Sequence, residues 1–325
     1  ARWRCRALLD GGGVNRRPSG GKTAGRPLRK VFVTTRWRGR VGNLLFGTAG
    51  LIGVASRLNT TAPTEAFGID LPSGGEVPAA NLFERFPLLA KHVRRHDTSG
   101  KAGQIEGWFS KQYRILYADH PDHRAVRQCL PCRWTMNERS GFDEAGLKQV
   151  EEWVNNPPDG CVIGLVDVVG SLQSFKYFER ISESVIHPAL ASMASSTEAN
   201  EYLAKAKVKS GTRVIGVDVR LDEPLAKWLY APVSWKYYRV AMRQLARRLD
   251  SGRTRVPIAF IVVAADEAEA RKQLSSTVSK SRAVFFTADD PHTELAVLRA
   301  CDGLVIGASS LGWWAAYLSK LPSES

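Results

Sequence analysis

From Arg213 onward the chain alternates short apolar runs with amphipathic stretches in a regular series. Val214–Val219, Ile258–Ala264, Ala283–Thr287 and Gly303–Gly307 are brief runs dominated by β-branched, aromatic and small residues, as buried parallel strands are. Between them Trp235–Leu249, Ala268–Leu274 and Thr293–Ala300 space their apolar residues as helices do. The first of these ends in Arg247 and Arg248, suited to the negative end of a helix dipole. The order β-α-β-α-β-α-β predicts a doubly wound parallel sheet of mononucleotide-binding type.

The first half begins the same way. Lys30–Thr34 reads as a strand, Arg36–Gly42 as a basic glycine-bounded turn, and Asn43–Leu58 as a helix with Leu44, Leu45, Leu51, Ile52 and Ala55 on one face. Further on, Phe83–His96 reads as a helix, Ile115–Tyr117 as a strand, and Glu144–Trp153 as a helix ended by Pro157 and Pro158. Cys161–Val169 is an apolar strand, and Leu172–Glu179 after it carries four aromatic or aliphatic residues. The fold class is therefore α/β with two Rossmann-like domains. The expected division is a basic arm at 1–30, a first domain at 31–205 and a second at 206–325, with the boundary region at Thr197–Gly211.

Charge refines this picture. The 325 residues carry a formal net charge of +14. Residues 1–30 hold nine Arg or Lys against Asp10 alone, so they account for eight of those charges. That segment reads as a disordered arm or a stem. What remains is mildly basic, compatible with an anionic ligand and not demanding nucleic acid. Polyanion binding by the arm is the alternative. Gly21-Lys22-Thr23 is no phosphate loop, because Arg16 stands where the loop needs its first glycine and no strand precedes it. No run of about 20 apolar residues exists. Asn43–Ser56 is uncharged but short, and reads as a buried helix. Membrane attachment is expected only through an anchor upstream of Ala1.

Cys129-Leu130-Pro131-Cys132 has no second pair at zinc-finger spacing, and a local disulfide is plausible if the protein is secretory. Asn59-Thr60-Thr61 matches the N-glycosylation acceptor pattern and points the same way. His92 and His96 stand among Arg94, Arg95 and Asp97 and read as a solvated helix face. No metal site is assigned.

In open parallel sheets ligands bind outside the carboxyl ends of the strands. In the second domain those ends carry Asp218 and Arg220, Asp266 and Glu267, and the turn with Ser309, Ser310 and Gly312. Arg220 can hold a diphosphate with paired donors. Asp266 can accept from a ribose hydroxyl or a guanine N–H. Cys301–Leu318 runs from strand through a hydroxyl-bearing turn into a helix capped by Ser309 or Ser310. That turn is either a phosphate site at a helix N-terminus or an ordinary strand–helix corner. No G-x-G-x-x-G fingerprint is present, which argues against a nicotinamide-dependent dehydrogenase.

Three segments resemble the α-1,2-fucosyltransferase family, glycosyltransferase family 11. Gly39-Arg40-Val41-Gly42-Asn43-Leu44-Leu45-Phe46 is similar to its G-R-x-G-N-x-x-F opening. Ser171–Phe178 is similar to its L-Q-S-x-K-Y-F segment, and Glu294–Leu318 to its C-terminal block. The resemblance implies a GT-B-like fold and inverting transfer of fucose from GDP-fucose to a galactose-terminated glycan, without a metal. It implies that Arg220 faces the GDP phosphates and that Arg40 and Asn43 lie on the acceptor side. Asp218 and Leu221 replace a histidine and an arginine of the family's H-x-R-R-x-D motif, and Glu223 matches its final acid. Losing one charged donor to phosphate costs about 1.5–3 kcal/mol, so a relative that binds without turnover is the alternative. Asp218 is the candidate general base by position. A Golgi lumenal enzyme is expected if a signal anchor precedes the chain.

Overall fold

The computed structural model describes residues 28, 30–37, 39–70, 79–97, 132–138, 141–158, 161, 163–191, 193, 197–207, 210–221, 233–250, 256–278, 281–287 and 290–319. The basic arm (save Leu28 and Lys30), Gly21-Lys22-Thr23, Ile115–Tyr117, Cys129, Asp222 and Glu223 lie outside them. The chain forms two units, residues 1–189 and 190–325.

The first unit is a five-stranded parallel sheet in the order β3-β2-β1-β5-β4. Its strands are β1 (Lys30–Trp37), β2 (Thr64–Asp70), β3 (Val93–Asp97), β4 (Cys132–Asn137) and β5 (Ile163–Val169). Helix α1 (Val41–Leu58) follows β1 and is 83% buried. It is long and apolar enough to cross a membrane, but its burial is that of a core helix, as read from Asn43–Ser56. Small residues let it dock closely. A Cβ on Gly53 would lie 2.0 Å from the Tyr177 carbonyl oxygen, and one on Gly50 would lie 2.7 Å from Leu172 Cβ. The fucosyltransferase-like segment at 171–178 is therefore packed directly onto α1.

The helix expected over Phe83–His96 is replaced by three elements: α2 (Ala79–Arg85), a 3-10 turn (Pro87–Lys91) and β3. Pro87 lacks the N–H that would continue the helix, and its ring displaces the preceding turn. His92 follows the 3-10 turn while His96 lies in β3, so the two share no helix face. Helix α3 (Glu144–Asn155) is capped by the Asp143 side chain, which accepts from the Gly146 N–H at 2.8 Å. Arg57 at the end of α1 pairs with Glu144 and Glu151 of α3. Asp167 is fully buried in β5 and is compensated from both sides, by Arg133 of β4 and by the Thr34 hydroxyl of β1 at 3.3 Å.

Cys132 is bonded to Cys161, not to Cys129. Cys132 begins β4 opposite Gly164 of β5, and Cys161, in the turn ahead of β5, lies 5.8 Å from it Cα to Cα, within disulfide range.

After α4 (His187–Ala191), the second unit holds α5 (Thr197–Ala206), β6 (Arg213–Val219), α6 (Trp235–Leu249), β7 (Ile258–Ala264), α7 (Glu267–Val278), β8 (Arg282–Phe286), α8 (Pro291–Arg299), β9 (Gly303–Ile306) and α9 (Ser310–Leu318). Its four strands are parallel in the order β8-β7-β6-β9. Ile215, Val217 and Val219 pack with Tyr238, Met242, Phe260 and Val262 in its core. Helix α5 contacts α8, β7 and β8, and its Tyr202 stacks on Phe286 at 4.0 Å. A domain boundary at 205/206 would cut α5 from the unit it packs on; the division at 189/190 keeps it there. Both units are parallel-stranded α/β units, as expected from the sequence.

Candidate functional site

In the first unit β1 lies between β2 and β5. In the second unit the chain crosses from β6 to β7 and β8 on one side and returns to β9 on the other, so the crossover direction reverses between β6 and β9. Ligands of open parallel sheets bind at the carboxyl ends of the strands beside such a point.

In the second unit Asp218 is the penultimate residue of β6 and Arg220 lies just beyond it. The two-residue period of a strand puts both on one side. Arg220 Nε donates to Asp218 Oδ1 at 2.9 Å, and its Nη2 donates to Glu294 Oε2 of α8 at 2.5 Å. The Asp218 side chain is fully buried, that of Glu294 is 9% exposed and that of Arg220 14%. One cation thus serves two buried carboxylates. Removing it would take this ion pair from both, the costly way to break a buried pair.

The other carboxylate oxygen, Asp218 Oδ2, has no hydrogen-bond partner among the described residues. It faces the first turn of α9, where a Cβ on Gly312 would lie 2.4 Å from it. Ser309 caps that helix, its Oγ accepting from the Gly312 N–H at 3.1 Å, and Ser310 begins it. The strand–turn–helix corner is therefore built as the sequence suggests. Its nearest anion, however, belongs to the protein. A carboxylate at a helix N-terminus is favourable, and it stands where a phosphate would gain from the same dipole.

Two tyrosines of α6 bind the strand ends together. Tyr238 Oη accepts from the Arg220 backbone N–H at 3.3 Å, and Tyr237 Oη donates to the Ile306 carbonyl at 2.8 Å. A Cβ on Gly307 would lie 2.3 Å from Tyr238 Oη, so the turn after β9 needs glycine to approach. Burial, with Asp218 adding to it, pushes the Tyr238 phenol up to about 12.

Asp218, Arg220, Ser309, Ser310 and Gly312 therefore share the β6–β9 edge. Asp266 follows β7 on the same sheet and is exposed, but Oδ1 accepts from the Glu269 N–H at 2.9 Å and so caps α7. As placed, Asp218 reaches no solvent, which does not suit a base that must meet an acceptor hydroxyl. Arg220 has its guanidinium turned to two carboxylates rather than held open for a diphosphate.

Arg40 and Asn43 belong to the first unit, at the carboxyl end of β1. Arg40 is exposed and Asn43 half-buried beneath Gly39, whose φ of +90° and 2.7 Å Cβ approach to Asn43 Nδ2 require glycine. The segment beginning at Ser171 leaves the neighbouring strand β5. The two family-like segments of this unit thus follow neighbouring parallel strands. Glu138, just past β4, accepts from the Leu172 N–H at 2.6 Å and holds that residue at φ +50°. Burial raises the Glu138 carboxyl above its ordinary range despite the backbone donors. Tyr177 Oη accepts from the Asp143 N–H at 3.0 Å and donates to the Gly141 carbonyl at 3.2 Å.

Sequence reasoning missed Glu294, Tyr237, Tyr238 and Glu138 as parts of these edges. A carboxylate inside the buried run His292–Leu298 is a usable signal for Glu294. Glu138 carries none, since its role depends on a loop 34 residues away.

Residues 195–323 match the family model for glycosyl transferase family 11. The family 11 match falls within the second unit and contains the whole β6–β9 edge. No curated protein sequence matches the chain. Among solved structures, a variant of Arabidopsis thaliana FUT1 in complex with GDP is 11% identical, with 98% of this chain and 73% of that one covered and a TM-score of 0.49. POFUT1 in complex with GDP-fucose is 11% identical, with 93% and 97% covered and a TM-score of 0.45. The Escherichia coli ADP-heptose heptosyltransferase II is 14% identical, with 89% and 82% covered and a TM-score of 0.37.

Proposed function

We propose that this glycosyltransferase-family chain transfers fucose from GDP-fucose to a hydroxyl of a galactose-terminated glycan, making an α-1,2 linkage with inversion and without a metal. The observation that carries the reading is the family 11 match over residues 195–323, which spans the strand ends and capped helix that a nucleotide diphosphate would use. In the proposed step the bond from fucose C1 to the diphosphate oxygen breaks, the acceptor oxygen bonds to C1, and its proton passes to a base. Arg220 would stabilise the charge developing on GDP, which is electrostatic catalysis. Ser309, Ser310 and the start of α9 would hold phosphate, Asp266 the guanine or ribose, and Arg40 and Asn43 the acceptor. The base is left unassigned. A Golgi lumenal setting, with an anchor upstream, fits this chemistry.

A second reading is favoured by the Asp218–Arg220–Glu294 cluster: a relative that binds GDP-sugar or glycan without turnover. Incubation with GDP-fucose and a β-galactoside, with GDP release measured, separates the two. Acceptor-dependent release supports transfer. Saturable GDP binding without release supports the second reading, and the absence of both overturns each.

A further inference from the structure

We propose that Asn59 is an attachment site for an N-linked oligosaccharide. Asn59-Thr60-Thr61 is the only Asn-X-Ser/Thr tripeptide in the chain. It lies in the turn between α1 and β2, where Asn59 and Thr60 are exposed. Asn59 Oδ1 accepts from the Thr64 N–H at 2.9 Å, which fixes the side chain and leaves Nδ2 without a partner among the described residues. Thr60 spends its hydroxyl on the Arg57 carbonyl at 2.8 Å, whereas the Thr61 hydroxyl, the one the acceptor pattern requires, makes no hydrogen bond among the described residues. Both reacting groups of the tripeptide are thus presented, and the middle one is tied back.

The chemistry is compatible with the fold. The donor is an oligosaccharide carried on a lipid pyrophosphate. Its C1–O bond breaks, Nδ2 loses a proton and bonds to C1, and the lipid pyrophosphate leaves with the electron pair. The amide carbonyl survives, so the Thr64 hydrogen bond is kept. The first sugar would start at the rim of a cavity of about 440 Å³ lined by Asn59, Ser56, Glu65, Lys91, His92 and Arg94. That cavity lies at the amino ends of β2 and β3, the opposite end of the sheet from Arg40 and Asn43. A glycan there leaves the carboxyl edge open. The Cys132–Cys161 disulfide is an independent observation pointing to the oxidising compartment in which such transfer occurs.

The full chain, directed into the secretory pathway of a eukaryotic host, should lose the mass of one N-glycan on treatment with peptide-N-glycosidase. The released Asn59 peptide should then read as Asp at that position. Asn59→Gln and, independently, Thr61→Ala should each abolish the loss. A secretory chain whose Asn59 peptide is recovered unmodified overturns the proposal, as does a glycan that persists in both variants.

Discussion

Gly312 Cα stands against Asp218 Oδ2 so closely that a methyl group at 312 would lie 2.4 Å from the carboxylate and 3.2 Å from Ile306. Neither neighbour is a flexible chain end: Asp218 is buried and held by Arg220, and Ile306 is in a strand. Gly312→Ala should therefore destabilise the protein by about 1–3 kcal/mol, the range for overpacking a closed core. Asp218→Ala in the same chain should recover part of that loss. Denaturant unfolding of the two single variants and the double variant checks this. Additive effects would show that the two residues do not touch.

At the proposed donor site the same carboxylate would oppose a nucleotide diphosphate. Asp218→Asn keeps the shape, removes the charge and loosens one of the two holds on Arg220. GDP binding measured by calorimetry should tighten roughly tenfold, equivalent to about 1.4 kcal/mol. Unchanged or weaker binding would show that Asp218 is no obstacle to the diphosphate. Arg220→Lys is the companion variant. It keeps the charge between Asp218 and Glu294, so the fold should survive, but it cannot serve two partners with one planar fork, and turnover of GDP-fucose, measured as acceptor-dependent GDP release, should fall.

The legible parts of this molecule were those in which local pattern and buried partner agree. Strands β7 and β9 are apolar on both faces, β6 is so but for Arg213 at its start and Asp218 near its end, and α6 is amphipathic, so their order gave the second unit directly. Strands β2 and β4 carry Glu65, Asp70 and Arg133 and are recognisable only through the neighbours they pair with. Arg220 reads as a candidate phosphate ligand by residue type. Its occupation by Glu294 was not, because the partner lies 74 positions away and nothing local requires the contact. Cys132 is bonded across to the chain entering β5 rather than to Cys129 at the short spacing, and no local pattern shows that.

The Cys132–Cys161 bond closes a loop spanning a sequence separation of 29 and joins neighbouring strands at the edge of the first sheet. Cys161→Ala should lower stability by about 3–4 kcal/mol on the loop-entropy account. Thermal unfolding under oxidising conditions measures it. Under full reduction the difference between variant and parent should vanish. A difference that survives reduction would assign the loss to packing around Cys161 instead.

Glu138 makes the first unit sensitive to pH in a definite direction. Its carboxyl binds a proton more tightly when folded, because burial outweighs the Leu172 and Ser171 backbone donors. Between the ordinary carboxylate range and the raised folded value the native state therefore holds more protons than the unfolded one. Stability contributed by this group is fully present below that range and is lost as pH rises through the folded value. Glu138→Gln retains an acceptor for the Leu172 N–H and has no proton to lose. Unfolding midpoints of parent and variant, compared from about pH 4 upward, should diverge in favour of the variant as the parent ionises. If the parent instead gains on the variant with rising pH, the ionised carboxylate is the form the turn at Gly170–Leu172 is built to hold.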